Sequence, residues 1–133
     1  MRSIAYLLDQ IAQAAYYAGI EEKRRGAPPQ VKVPPTQVNK LLEILETTKS
    51  IELTIAFLGR QLRRGAWKDK NSAKILFNIL NQVRTQVSDP DEALRIAREV
   101  LGVFKWLYEA HPRRAHPSKT PTTFTEYIKW CFS

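Results

Sequence analysis

Residues 88–108 read SDPDEALRIAREVLGVFKWLY, a stretch that carries both its own start signal and its own buried face. Asp89 stands as an N-cap, Pro90 takes the first helical position, where a missing N–H is no loss, and Glu92 follows at the third. Beyond them Ala93, Ala97, Val100, Leu101, Phe104, Leu107 and Tyr108 recur at steps of three and four. That spacing lines one face of a helix. The pattern predicts a helix that ends before Pro112.

The same period extends upstream. Leu76, Ile79, Leu80, Val83 and Val87 mark a helix opened by Asn71 or Ser72. Before it, Ile51, Leu53, Ile55, Ala56, Phe57, Leu58 and Leu62 make a helix that is apolar nearly all the way round, opened by Ser50 and closed by Gly65. A helix of that kind is expected at the centre of a fold. Val38, Leu41, Leu42 and Leu45 give another from about Thr36, and Ile4, Leu7, Leu8, Ile11, Ala14, Ala15 and Ala18 give a first one from about Ser3 to Arg25. Between these two, GAPPQVKVPP (26–35) holds four prolines and is expected to be an extended, semi-rigid strap. Downstream, TFTEYIKWCF (123–132) predicts a short helix capped by Thr123 with Glu126 three residues on.

The expected fold is therefore all-α: a single-domain antiparallel helical bundle of five main helices plus a short C-terminal helix, over residues 1–133. Residues 1–35 would be the N-terminal helix and proline-rich strap, 36–111 the bundle core, and 112–133 a basic tail with the short helix. Apolar residues at 44% and charged residues at 26% fit a globular chain and exclude the disordered, collagen-like and membrane classes. Asp9, Gln10 and Gln13 interrupt the apolar residues of the N-terminus, so neither a signal segment nor a span is expected. With Cys131 alone there is no internal disulfide, and a cytoplasmic location follows as the expectation.

Charge is the chain's most distinctive property. Lys plus Arg number 21 against 13 Asp plus Glu, a net +8, which points to a polyanionic partner. The excess is concentrated: residues 57–88 carry seven cations and one anion. Within FLGRQLRRGAWKDKNSAK (57–74), Arg60, Arg63, Arg64, Lys68, Lys70 and Lys74 surround Asp69. On a helix Arg60 and Arg64 share a side with Arg63 beside them, and guanidinium forks match phosphate oxygens. Backbone N–H groups at the start of the next helix would add to such a site. Trp67 would either stack on a base or plug the corner of the bundle. Arg113 and Arg114, in the loop HPRRAHPSKTPTTF (111–124), extend the candidate nucleic-acid-binding set. No compact polar stripe is available to read base edges, so backbone tracking is expected.

Catalytic machinery is not apparent. His111, His116 and Cys131 would leave a zinc ion without a fourth ligand, carboxylate pairs such as Glu43 with Glu46 read as solvated faces, and no phosphate loop or nucleophile elbow occurs. A non-enzymatic protein with no metal, no cofactor and no membrane partner is expected.

The order PPTQVNKLLEI, FLGRQLRRG, ILFNILNQV and ALRIAREVLGVFKWLYEAH, over about Pro34 to His111, resembles the small helical subunit of CRISPR effector complexes, of the type III Csm kind or the related archaeal type I kind. The residues carrying it are Thr36 and Gln37, Phe57 with Arg60 or Arg63, and Phe104, Tyr108 and His111. The resemblance implies a structural subunit that stacks in copies along a ribonucleoprotein filament. It would hold guide and target strands (RNA or single-stranded DNA) through Arg60, Arg63, Arg64 and Lys68, and meet protein neighbours through exposed apolar residues of the first helix or the tail. The alternative is a DNA-wrapping coat protein of a filamentous archaeal virus. A helix-turn-helix repressor over Thr36 to Leu62 is disfavoured by an apolar third helix, and a protein adaptor with incidental charge is the bland reading.

Overall fold

The computed structural model describes residues 3–113 and 115–133, and the first helix already departs from expectation. A 3-10 turn at Ala5–Leu7 leads into α1, Leu8–Gly19, which stops well short of Arg25. An antiparallel hairpin of β1 (Glu21–Arg24) and β2 (Ala27–Val31) takes the place of a helix end and an extended strap. Gly26 turns the hairpin at a φ of +76°, a left-handed conformation that glycine adopts without strain. Pro28 and Pro29 cannot donate to a helix but are tolerated on an edge strand. Leaving the hairpin, the Lys32 N–H bonds to the Ile20 carbonyl (2.9 Å) and the Val33 N–H to the Ala18 carbonyl (3.3 Å). These bonds return the chain to the end of α1, where Val33 is fully buried.

Four longer helices come next: α2 (Pro35–Thr48), α3 (Ile51–Arg63), α4 (Lys70–Gln86) and α5 (Pro90–Glu109), then the short α6 (Phe124–Cys131). Three of their starts match the expected caps. Ser50 Oγ accepts from the Leu53 N–H, Asp89 from that of Asp91, and Thr123 from that of Glu126. Glu126 in turn reaches back to the Thr122 N–H at 3.1 Å. The start of α4 differs, since its cap is Asp69 and not Asn71 or Ser72.

The larger correction concerns the centre. α1 lies against α4, α5 and α6, and Leu7, Ile11, Ala14, Ala15 and Ala18 have no exposed surface. Alanines on that stripe let neighbouring helices approach closely, so α1 takes the inner position expected of α3. The apolar stripe of the first helix is thus core, while Tyr6, in the turn before α1, remains 48% exposed. α3 lies between α2 and α4 and buries only Ile51, Thr54, Leu58 and Gln61, leaving Leu53 54% exposed. The fold is a helical single domain with, among the described residues, six α-helices and a small two-stranded sheet, not strictly all-α and not a five-helix bundle. No helix among the described residues is long and apolar enough to cross a membrane.

Short turns bring the start of α2, the end of α3, the start of α4 and the end of α5 to one end of the molecule. A Gln61 amide donates to the Gln37 side-chain oxygen at 2.7 Å, Trp67 stacks on Phe104, and the Tyr108 hydroxyl donates to the Val33 carbonyl.

Candidate nucleic-acid interface

The turn between α3 and α4 sorts its side chains by chemistry. The Ala66 and Trp67 N–H groups both bond to the Gln61 carbonyl at 3.0 Å, and Gly65, at a φ of +78°, permits the reversal. This wraps the chain so that Trp67 points inward, at 1% exposure. Its indole N–H donates to Ser72 Oγ at 2.9 Å, and its ring lies on Phe104 with centroids 6.3 Å apart and planes at 23°. Asp69 also turns inward, at 4% exposure, and its Oδ2 accepts from the Ser72 N–H at 2.6 Å.

Trp67 therefore takes the role of a corner plug, and its ring offers no face to a base. Two further expectations change with it. Asp69 is engaged as a buried cap, so it does not stand among the cations at the surface. Its carboxylate fills the positive end of the α4 dipole, so a phosphate near the patch would be held by side chains and not by the helix start.

With Trp67 and Asp69 inside, Arg60, Arg63, Arg64, Lys68, Lys70 and Lys74 are all exposed. Among the described residues the ion pairs form elsewhere: Arg84 with Glu52, Arg95 with Glu92 and Glu99, and Arg98 with Glu46. Arg60 makes a 3.3 Å contact to the Gln61 side-chain oxygen, a neutral partner that leaves its charge uncompensated. The surface between α3 and α4 consequently presents guanidinium and ammonium groups whose charge is not cancelled by neighbouring carboxylates, the arrangement that attracts phosphate chains.

Arg113 is placed differently. Its guanidinium carbon sits 4.5 Å from the Tyr108 ring centroid, and Nη2 donates to the Tyr108 carbonyl at 3.1 Å. Trp67, Phe104 and Tyr108 form a file of rings across this end of the bundle, with Arg113 as its last member. Half-buried and held by Tyr108, it belongs more to the packing than to the exposed patch. Arg114 lies outside the described residues.

Sequence reasoning missed two features. Phe77 is 44% exposed on the stripe of α4 that also carries Lys70 and Lys74, and it borders an apolar groove floored by Leu58 and Leu62. The spacing of 70, 74 and 77 was the available signal. The second is an aromatic cluster around His111, with Tyr16, Tyr127 and Trp130. Two histidines beside prolines in a loop gave no hint that one of them would be 7% exposed. Among the described residues no three His, Cys, Asp or Glu side chains come together as a metal site.

No protein-family model matches the chain, and no curated protein matches it.

Proposed function

We propose that the protein is a non-catalytic structural subunit that binds nucleic acid along the phosphate backbone. The observation that supports this most directly is the inward turn of Asp69 beside six outward cations. The one anion of residues 57–88 neutralises nothing at the surface. Long, mobile Lys and Arg side chains without a rigid polar frame suit phosphates and not base edges.

The assembly we infer is a CRISPR ribonucleoprotein effector complex, on the strength of the resemblance carried by Thr36 and Gln37, Phe57 with Arg60 or Arg63, and Phe104, Tyr108 and His111. Gln37, Phe104, Tyr108 and His111 are buried, so they would serve the fold of such a subunit while Arg60, Arg63, Arg64 and Lys68 serve contact with the guide or target strand. Neighbouring subunits or further copies would meet exposed apolar side chains such as Leu53, Phe77, Trp106 and Phe132.

The deciding experiment is purification of the tagged protein from its native host at low salt, with mass spectrometry of co-purifying proteins and sequencing of bound nucleic acid. Repeat-derived guide RNA together with effector subunits is the expected result. Virion proteins with duplex DNA would replace this reading with that of a viral coat protein, and absence of nucleic acid would overturn both.

A further inference from the structure

A cavity of about 350 Å³ opens between the end of α1, the hairpin, the loop after α5 and α6. It shares no residue with the cationic segment of α3 and α4, and its size lies within the range of small-molecule sites, roughly 300–1,000 Å³. Two of its walls are aromatic. The Tyr16 and Trp130 rings meet edge to face, with centroids 5.6 Å apart and planes at 66°, and Pro29 adds a third apolar surface.

His111 stands at the same wall, stacked on Tyr16 (5.9 Å, 24°) and edge-on to Trp130 (5.0 Å, 83°). Its Nε2 lies 3.1 Å from the Tyr16 carbonyl oxygen. A carbonyl can only accept, so Nε2 carries the hydrogen and Nδ1 keeps its lone pair. That Nδ1 is buried and has no hydrogen-bond partner, in a residue that is 7% exposed. Buried acceptors are normally satisfied, and one left open beside a cavity marks a place where a ligand donor is missing.

The mouth has the complementary character. Lys23 and His116 are exposed there, and the net charge of +8 favours an anion at the opening. Flat, N–H-donating inside and anionic outside describes a nucleotide.

We propose that this cavity binds one nucleotide, its base against Tyr16 and Trp130, an N–H of the base directed to His111 Nδ1, and its phosphate at Lys23 and His116. All four common bases carry an N–H, so the site selects the class and not the letter. The nucleotide is either free or the unstacked residue of a bound strand, and the two sources share this chemistry.

The test tracks the indole N–H resonance of Trp130 in ¹⁵N-labelled protein during titration with the four nucleoside monophosphates, with ribose 5-phosphate as a control. The buried Trp67 indole reports that the fold is intact. A saturable shift at Trp130 with monophosphates, absent with ribose 5-phosphate, is expected. Loss of one stacking wall in Tyr16→Leu should weaken binding by about tenfold or more, and Lys23→Ala at the exposed rim should weaken a monophosphate more than the matching nucleoside. A shift seen only with a short single-stranded oligonucleotide, and lost in Tyr16→Leu, would assign the base to a bound strand and support the site. No shift with either, or an equal shift with ribose 5-phosphate, would overturn it. The Arg60, Arg63 and Arg64 triple alanine variant leaves the cavity untouched, so monophosphate binding by it separates this inference from the backbone-binding function.

Discussion

The imidazole of His111 occupies the space that a side chain at Gly19 would need: a β-carbon built on Gly19 would fall 2.3 Å from His111 Cδ2 and 2.5 Å from Cγ. The end of α1 and the loop after α5 are thereby fitted to each other through a residue with no side chain. Gly19→Ala must push the ring out of its stack with Tyr16, and overfilling of this kind typically costs about 1–3 kcal/mol. Urea unfolding should show a lower midpoint with an unchanged slope. Removing the ring relieves the clash, so His111→Ala should cost less in the Gly19→Ala background than alone.

The same imidazole gives the stability a pH dependence. Burial, aided by the charge of Arg113, lowers the His111 pKa from 6.5 to about 4, so the folded ring is neutral at pH 7. The unfolded chain binds the proton first. Stability from this group is therefore whole above about pH 6.5, falls as the pH drops towards 4, and changes no further once both states are protonated. Linkage puts the full loss at roughly 3 kcal/mol. Carboxylates titrate in part of this window, so the informative quantity is the difference between the natural protein and His111→Phe in urea unfolding from pH 7 to 4. The variant should lack this portion of the slope.

Trp67 separates a structural role from a binding role. A buried indole with its N–H bonded to Ser72 predicts a loss of about 3–5 kcal/mol for Trp67→Ala. Trp67→Phe retains most of the ring and forfeits the hydrogen bond, at about 1 kcal/mol. If the ring only plugs the corner, Trp67→Phe binds single-stranded nucleic acid as the natural protein does. A several-fold loss per folded molecule would mean that the indole leaves its socket to stack on a base.

The boundary between what the sequence revealed and what it hid is physical. Helices α5 and α6 were legible because cap and apolar stripe agree locally, at Asp89 with Pro90 and at Thr123 with Glu126. The hairpin was not, since EEKRRGAPP ends a helix as plausibly as it turns a strand, and only the bonds from Lys32 and Val33 back to α1 decide between them. Periodicity made α3 look central because it counts apolar residues without knowing what covers them. The alanine stripe of α1 won that position by allowing closer packing. At the candidate site the cations were readable one by one, whereas the inward turn of Trp67 and Asp69 required the tertiary fold. The His111 cluster joins α1, the loop after α5, and α6 and leaves no local signature.

The arginines at the C-terminal end of α3 and Arg113 should behave differently under one pair of measurements. Arg60, Arg63 and Arg64 are exposed and make no ion pair among the described residues, so replacing all three with alanine should leave stability within about 0.5 kcal/mol per site. Each phosphate that they neutralise releases counterions, and the slope of log affinity against log salt should become shallower by about one for each phosphate no longer held, up to about three for the triple variant. The weakening should be similar across sequences, because phosphate contacts carry no base information. Arg113→Ala should behave in the opposite way: its guanidinium rests on Tyr108 and bonds the Tyr108 carbonyl, so the change should lower stability while the salt slope stays near that of the natural protein. Polarisation titrations with labelled single strands over a series of salt concentrations, alongside urea unfolding of each variant, measure both quantities. An unfolded triple variant, or a salt slope that only Arg113→Ala reduces, would move the interface away from the turn between α3 and α4.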